Sequence, residues 1–207
     1  MKRTLAFAAS LILLGSCSFD GYTIRGKIAG LDNPYVYLLR YTGEVEVIDS
    51  AKVTKGDFVF KGKAEQPEVV YLSTDKQQPF VHFFLENGRI SVDGALSAPA
   101  DIAVLGTPSN DIQRAFDEKI AALEEEFAKT GNDVQRDSLR KEYSKLMSDA
   151  VEMNRDNIYG VTTFLNNAYA FLSPEEVMEQ IALFPAEWQQ RRELTELREA
   201  TERKLRV

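Results

Sequence analysis

The chain has 207 residues, with 32 acidic against 25 basic side chains and a formal charge of −7. That balance makes a poor partner for nucleic acid, whose affinity comes largely from basic contacts to phosphate, and disfavours anionic membrane surfaces. A single cysteine excludes an internal disulfide, so packing alone has to stabilise the fold.

Lys2 and Arg3 are followed by the apolar stretch Leu5 to Leu14 and then by Leu14-Gly15-Ser16-Cys17. A short basic region, a short apolar core and small residues before a cleavage point make an export signal. The run falls short of the roughly 20 apolar residues that a spanning helix needs. Leu-Gly-Ser-Cys resembles the lipobox of bacterial lipoproteins, which implies removal of residues 1–16 and acylation of Cys17. Several acyl chains would anchor the protein stably, where one binds only marginally. Loss of Lys2 and Arg3 takes the formal charge to −9 over 191 remaining residues, with 17–21 as a tether. No later stretch is apolar and long enough to cross a membrane.

From Tyr22 to about Leu105 the chain reads as short strands: Tyr22 to Ala29, Tyr35 to Arg40, Val45 to Ser50, Asp57 to Lys63, Val69 to Thr74, Phe80 to Leu85 and Arg89 to Asp93. All are rich in β-branched and aromatic residues, with Gly, Pro, Asn or Asp between them. Seven strands in so few residues leave no space for crossover helices, so an antiparallel sheet is expected. Lys55-Gly56-Asp57 reads as a turn, and Glu86-Asn87-Gly88 as a tight hairpin turn joining the last two strands.

After Gly106 the period becomes helical. Thr107-Pro108 opens a helix with Ile112, Phe116, Ile120, Leu123 and Phe127 on one face, stopped at Gly131. A second runs from about Asn132 to Arg155, with Leu139, Tyr143, Leu146 and Ala150 inward. A third follows Asp156-Asn157, burying Phe164, Leu165, Ala168 and Leu172. Ser173-Pro174-Glu175-Glu176 is a capping box that starts a fourth. The last, about Ala186 to Leu205, has a sparse apolar face suited to a stalk or linker. The fold class is therefore α+β: an antiparallel β-sandwich or partly open barrel of about seven strands over 22–105, then about five helices over 106–207.

Five segments, Tyr22 to Ile28, Val47 to Ser50, Gly56 to Gly62, Phe83 to Gly88 and Leu105 to Asn110, resemble in order the family called domain of unknown function 4369. The resemblance covers the strand half well and the helices loosely. It implies kinship with the amino-terminal domain of lipid-anchored thiol-disulfide interchange proteins of Bacteroidetes. In longer members such helices lead into a thioredoxin-like domain with a Trp-Cys-x-x-Cys site. This chain stops at Val207, Trp188 has no cysteine beside it, and an acylated Cys17 offers no thiolate, so redox activity is not expected to carry over.

His82, the sole histidine, lies in an apolar strand without the partners a zinc site or nucleophile requires, and is read as structural or surface. Glu124-Glu125-Glu126 and Glu175-Glu176 read as solvated helix faces, Glu176 also serving the capping box. No phosphate loop or dinucleotide pattern appears, so no catalytic residue, metal site or cofactor is expected. Tyr35, Tyr37 and Tyr41, with Phe80 and Phe84, form a candidate aromatic binding surface, against the plainer alternative of sheet packing. The expected protein is a lipid-anchored, non-enzymatic binding or scaffolding module. Its setting is the cell envelope, at the outer membrane facing the periplasm, with an envelope protein or small ligand as partner. The alternative is an accessory or sensing component of an envelope thiol-disulfide system, working with a separate thioredoxin-like protein.

Overall fold

The computed structural model describes residues 20–166, 169 and 172–206. Residues 1–16, expected to form a signal peptide, together with Cys17 and Ala168, lie outside the described residues. Strands come first: β1 (Tyr22–Ala29), β2 (Tyr35–Tyr41), β3 (Val45–Lys52), β4 (Asp57–Gly62), β5 (Glu68–Ser73), β6 (Pro79–Leu85), β7 (Gly88–Ala95) and β8 (Ala103–Leu105). They form two four-stranded sheets, ordered β4-β1-β7-β8 and β3-β2-β5-β6. Alternate residues of both sheets point inward and interdigitate, among them Ile24, Phe58, Phe60, Ile90 and Val92 from one and Val36, Leu38, Val70, Leu72 and Phe83 from the other. Neither sheet closes on itself, so the strand half is a sandwich.

The expectation of purely antiparallel pairing fails at one seam. β1 and β7 run parallel, with Tyr22 opposite Gly88 through to Ala29 opposite Ala95. A parallel pair needs a long crossover, and here the crossover is not a helix but the whole of β2 to β6. For the same reason Glu86-Asn87-Gly88 is not a hairpin: β6 and β7 belong to different sheets. Asn87 instead bridges to the neighbouring loop, its Oδ1 accepting from the Ala64 amide at 2.9 Å and its Nδ2 donating to the Ala64 carbonyl at 2.8 Å. The turn at Lys55-Gly56 is as expected, with both residues at positive φ and Thr54 exchanging two backbone bonds with Asp57.

Two glycines of the resemblance segments have a packing reason. Gly26 lies opposite Phe58 and Gly62 opposite Tyr22 across the β1–β4 seam. A Cβ on Gly26 would fall 1.9 Å from Phe58 Cζ, and one on Gly62 2.5 Å from the Tyr22 hydroxyl. Each glycine leaves the space that the opposing aromatic ring fills.

The helices follow as α1 (Pro108–Lys129), α2 (Asp133–Glu152), α3 (Ile158–Asn166), α4 (Pro174–Ala182), α5 (Ala186–Gln189) and α6 (Arg192–Leu205). Asn132 caps α2, its side chain accepting from the amides of Val134 and Gln135, and the Ser173–Glu176 capping box of α4 is complete. On α1 only Phe116 of the expected face is fully buried, so the far ends of α1 and α2 form a lightly packed hairpin. The final helix is no stalk. It breaks at Gln190-Arg191, and α6 buries Leu194 with Val177, Ile181 and Phe184 of the α4 segment against Phe164 of α3. A nine-residue α4 cannot bury its apolar side alone, and α6 covers it.

A polar latch fastens the helices to the sandwich. β6 is an edge strand, so half its backbone groups lack sheet partners. Asn110 supplies them at Phe84, accepting from its amide at 2.9 Å and donating to its carbonyl at 2.8 Å. Asn110 also donates to the Thr107 hydroxyl at 2.7 Å. Beside it, Glu86 accepts from the Ser109 amide and hydroxyl, at 3.0 and 2.7 Å, placing negative charge at the start of α1 where the helix dipole favours it. The rings of Phe84, Phe116 and Tyr159 pack around this point.

Candidate functional site

Fixing the helices against the sandwich leaves a groove of about 1110 Å³ between them. One wall is the end of the sandwich and the outward side of β5 and β6, including Tyr22, Arg40, Glu68, Tyr71 and His82. The other is α3, through Ile158, Val161, Thr162 and Leu165, and the α5–α6 junction at Arg191. The volume matches or exceeds that of ordinary ligand sites, roughly 300–1,000 Å³.

On the sandwich wall the charges are largely matched. Arg40 meets Glu68 side-on with Nε and Nη2, the latter at 2.6 Å, while Nη1 donates to Glu46 at 3.1 Å. The bond to Glu68 holds the Arg40 guanidinium protonated well beyond its ordinary range. Burial, helped by the carboxylates of Asp49 and Glu68, raises the Tyr22 phenol, and burial raises Tyr71. Both therefore stay neutral hydroxyls at physiological pH. Tyr159, in the joint, is pushed up to about 12 by burial.

The five aromatics expected to share a surface do not. Phe84 is 3% exposed and sits in the joint beneath the helices, which corrects its assignment to a surface. Phe80 is half-buried on the sandwich core and borders a separate hollow of about 360 Å³. Tyr35, 47% exposed, and Tyr37, whose ring lies 4.6 Å from the Lys76 ammonium, are outside the groove lining. Only Tyr41 borders the groove, edge-on to Tyr71 at 4.7 Å. The strands they stand on explain the scatter. Phe84 faces outward from β6, but onto the surface that α1 and α3 cover.

His82 is exposed, opposite Tyr71 on the outward side of the second sheet, in agreement with the surface reading. Glu124, Glu125 and Glu126 are solvated, with Glu125 paired to Lys129. Among the described residues no three His, Cys, Asp or Glu side chains gather as metal ligands, and no helix is long and apolar enough to cross a membrane. Reading the sequence missed Arg40, Tyr71 and Arg191. The outward alternation of Tyr71 between Val70 and Leu72 was a usable signal for one of them. Nothing in the helical pattern marks Arg191.

Residues 22–113 match the family model described as Domain of unknown function (DUF4369). The match covers every strand and the first turns of α1, ending just beyond the Asn110 latch. No curated protein and no solved structure matches the chain.

Proposed function

We propose, taking residues 22–113 as a domain of unknown function 4369, that the protein is a lipid-anchored module of the cell envelope that binds without catalysing. Its ligand or partner lies in the groove between sandwich and helices. The observation that carries this reading is the groove itself, which combines walls from both halves and mixes charged and polar side chains with apolar ones such as Ile158, Val161 and Leu165. Arg40 is committed to Glu68 and Glu46, so it holds the sandwich wall of the groove in shape rather than exchanging partners. Tethering at Cys17 keeps the module on the envelope, on the periplasmic side of the outer membrane.

The anchoring part is tested by metabolic labelling with fatty acid. Wild-type protein is expected to incorporate the label, whereas Cys17→Ala, which has no thiol to acylate, is expected to take up none. A wild type that takes up no label, or a Cys17→Ala protein labelled as strongly as the wild type, would remove the tether.

A further inference from the structure

Of the three arginines that line this groove, Arg40, Arg191 and Arg192, the first two are partly or largely buried and their states differ. Arg40 has its side-on fork filled by one carboxylate, Glu68. Arg191 does not. Its side chain is only 8% exposed, its guanidinium lies 5.3 Å over the Trp188 ring, and Nη2 donates to Glu193 Oε1 at a long 3.3 Å. The neighbouring Nε is buried with no partner, the one such side-chain atom among the described residues.

A buried donor left unmade is costly, and a charged one more so. Glu193 is a poor substitute, because it is 36% exposed and reaches one nitrogen only. The lining also departs from the rest of this acidic chain, with Arg40, Lys63, Arg191 and Arg192 against Glu65, Glu68 and Glu193. On the same helical side of the groove, Val161 and Leu165 of α3 offer apolar surface.

We infer that Arg191 is the anion-recognition residue of the groove, and that the ligand is an oxyanion, carboxylate or phosphate, carried on an apolar body. The oxyanion takes the Nε–Nη2 fork side-on and displaces Glu193, as Glu68 occupies the fork of Arg40. The planar fork matches either anion with two bonds. Trp188 holds the guanidinium in plane from behind, and the apolar body lies along α3. This rests on the groove being the ligand site.

The test is calorimetric titration of the full chain carrying Cys17→Ala with dodecanoate, dodecyl phosphate and dodecanol, each below its micelle concentration. Dodecanoate or dodecyl phosphate should bind at least tenfold more tightly than dodecanol, and the tighter of the two identifies the anion. Arg191→Lys keeps the charge but loses the fork, and should erase that preference. Glu193→Gln removes the competitor and should strengthen anion binding several-fold. Near-ultraviolet circular dichroism of Trp188, the only tryptophan, reports whether each variant keeps the native junction. Dodecanol binding as tightly as both anions, or a natively folded Arg191→Lys with unchanged preference, would overturn the inference. If no amphiphile binds while a photocrosslinking amino acid at Thr162, in the groove lining, still captures a ligand in cells, the anion assignment falls and the groove reading stands.

Discussion

Asn110→Ala is expected to be the most destabilising polar substitution in the molecule, lowering unfolding free energy by about 3–5 kcal/mol. The residue is 2% exposed, and its amide satisfies three buried groups: the amide and carbonyl of Phe84 and the hydroxyl of Thr107. Alanine leaves two buried backbone groups without partners, each at about 1–3 kcal/mol. For a chain of this size, that lowers the melting temperature by roughly 10 °C. Asn110→Asp keeps the acceptor for the Phe84 amide but loses both donations, so it should not rescue. Asn132→Ala is the comparison, since it removes an asparagine of exposed surroundings that only caps α2; its loss should be about 1 kcal/mol. Urea unfolding distinguishes the two. Equal, small effects would show that the latch does not fasten the helices to the sandwich.

Gly26→Ala should cost about 1–3 kcal/mol for a single methyl group, because the added carbon falls inside the Phe58 ring. Phe58 is itself buried among the rings and aliphatics of the core, 5.8 Å from Phe60, so Phe58→Ala should cost about 3–5 kcal/mol. The pair is informative together. With Phe58 already alanine, the methyl at position 26 has free space, so the double variant should be no less stable than Phe58→Ala alone, giving a coupling of about 1–3 kcal/mol. Additive losses would mean that Gly26 is required for backbone reasons instead.

These two residues also show how far the sequence could be read. Strand positions were legible because alternation over five to eight residues is a local property, and helix starts at Pro108, Asp133 and Pro174 were legible because caps are local too. Partner choice was not local. Asn87-Gly88 carries the chemistry of a hairpin turn, yet the chain there leaves one sheet for the other, because β7 finds β1 some sixty residues back. β8 has three residues and no alternation to detect. The break at Gln190-Arg191 carries neither glycine nor proline, so helical periodicity runs through it.

The candidate site was less legible than the fold. An aromatic residue on the outward side of a strand looks the same whether solvent or a helix faces it, so Phe84 and Tyr41 could not be told apart. The resemblance segments now have physical roles in the fold. Gly26, Gly62, Glu86, Asn87 and Asn110 hold seams and joints, and thereby shape the groove without lining its helical wall.

The most direct measurement places a photocrosslinking amino acid at Thr162, on the helical wall of the groove, and in parallel at Val134, 78% exposed on α2 and outside the groove lining. Each is irradiated in intact cells. A discrete adduct from Thr162 and none from Val134 is the predicted result. Equal labelling at both positions, or none at Thr162 in a correctly folded and localised protein, would contradict a groove-bound ligand.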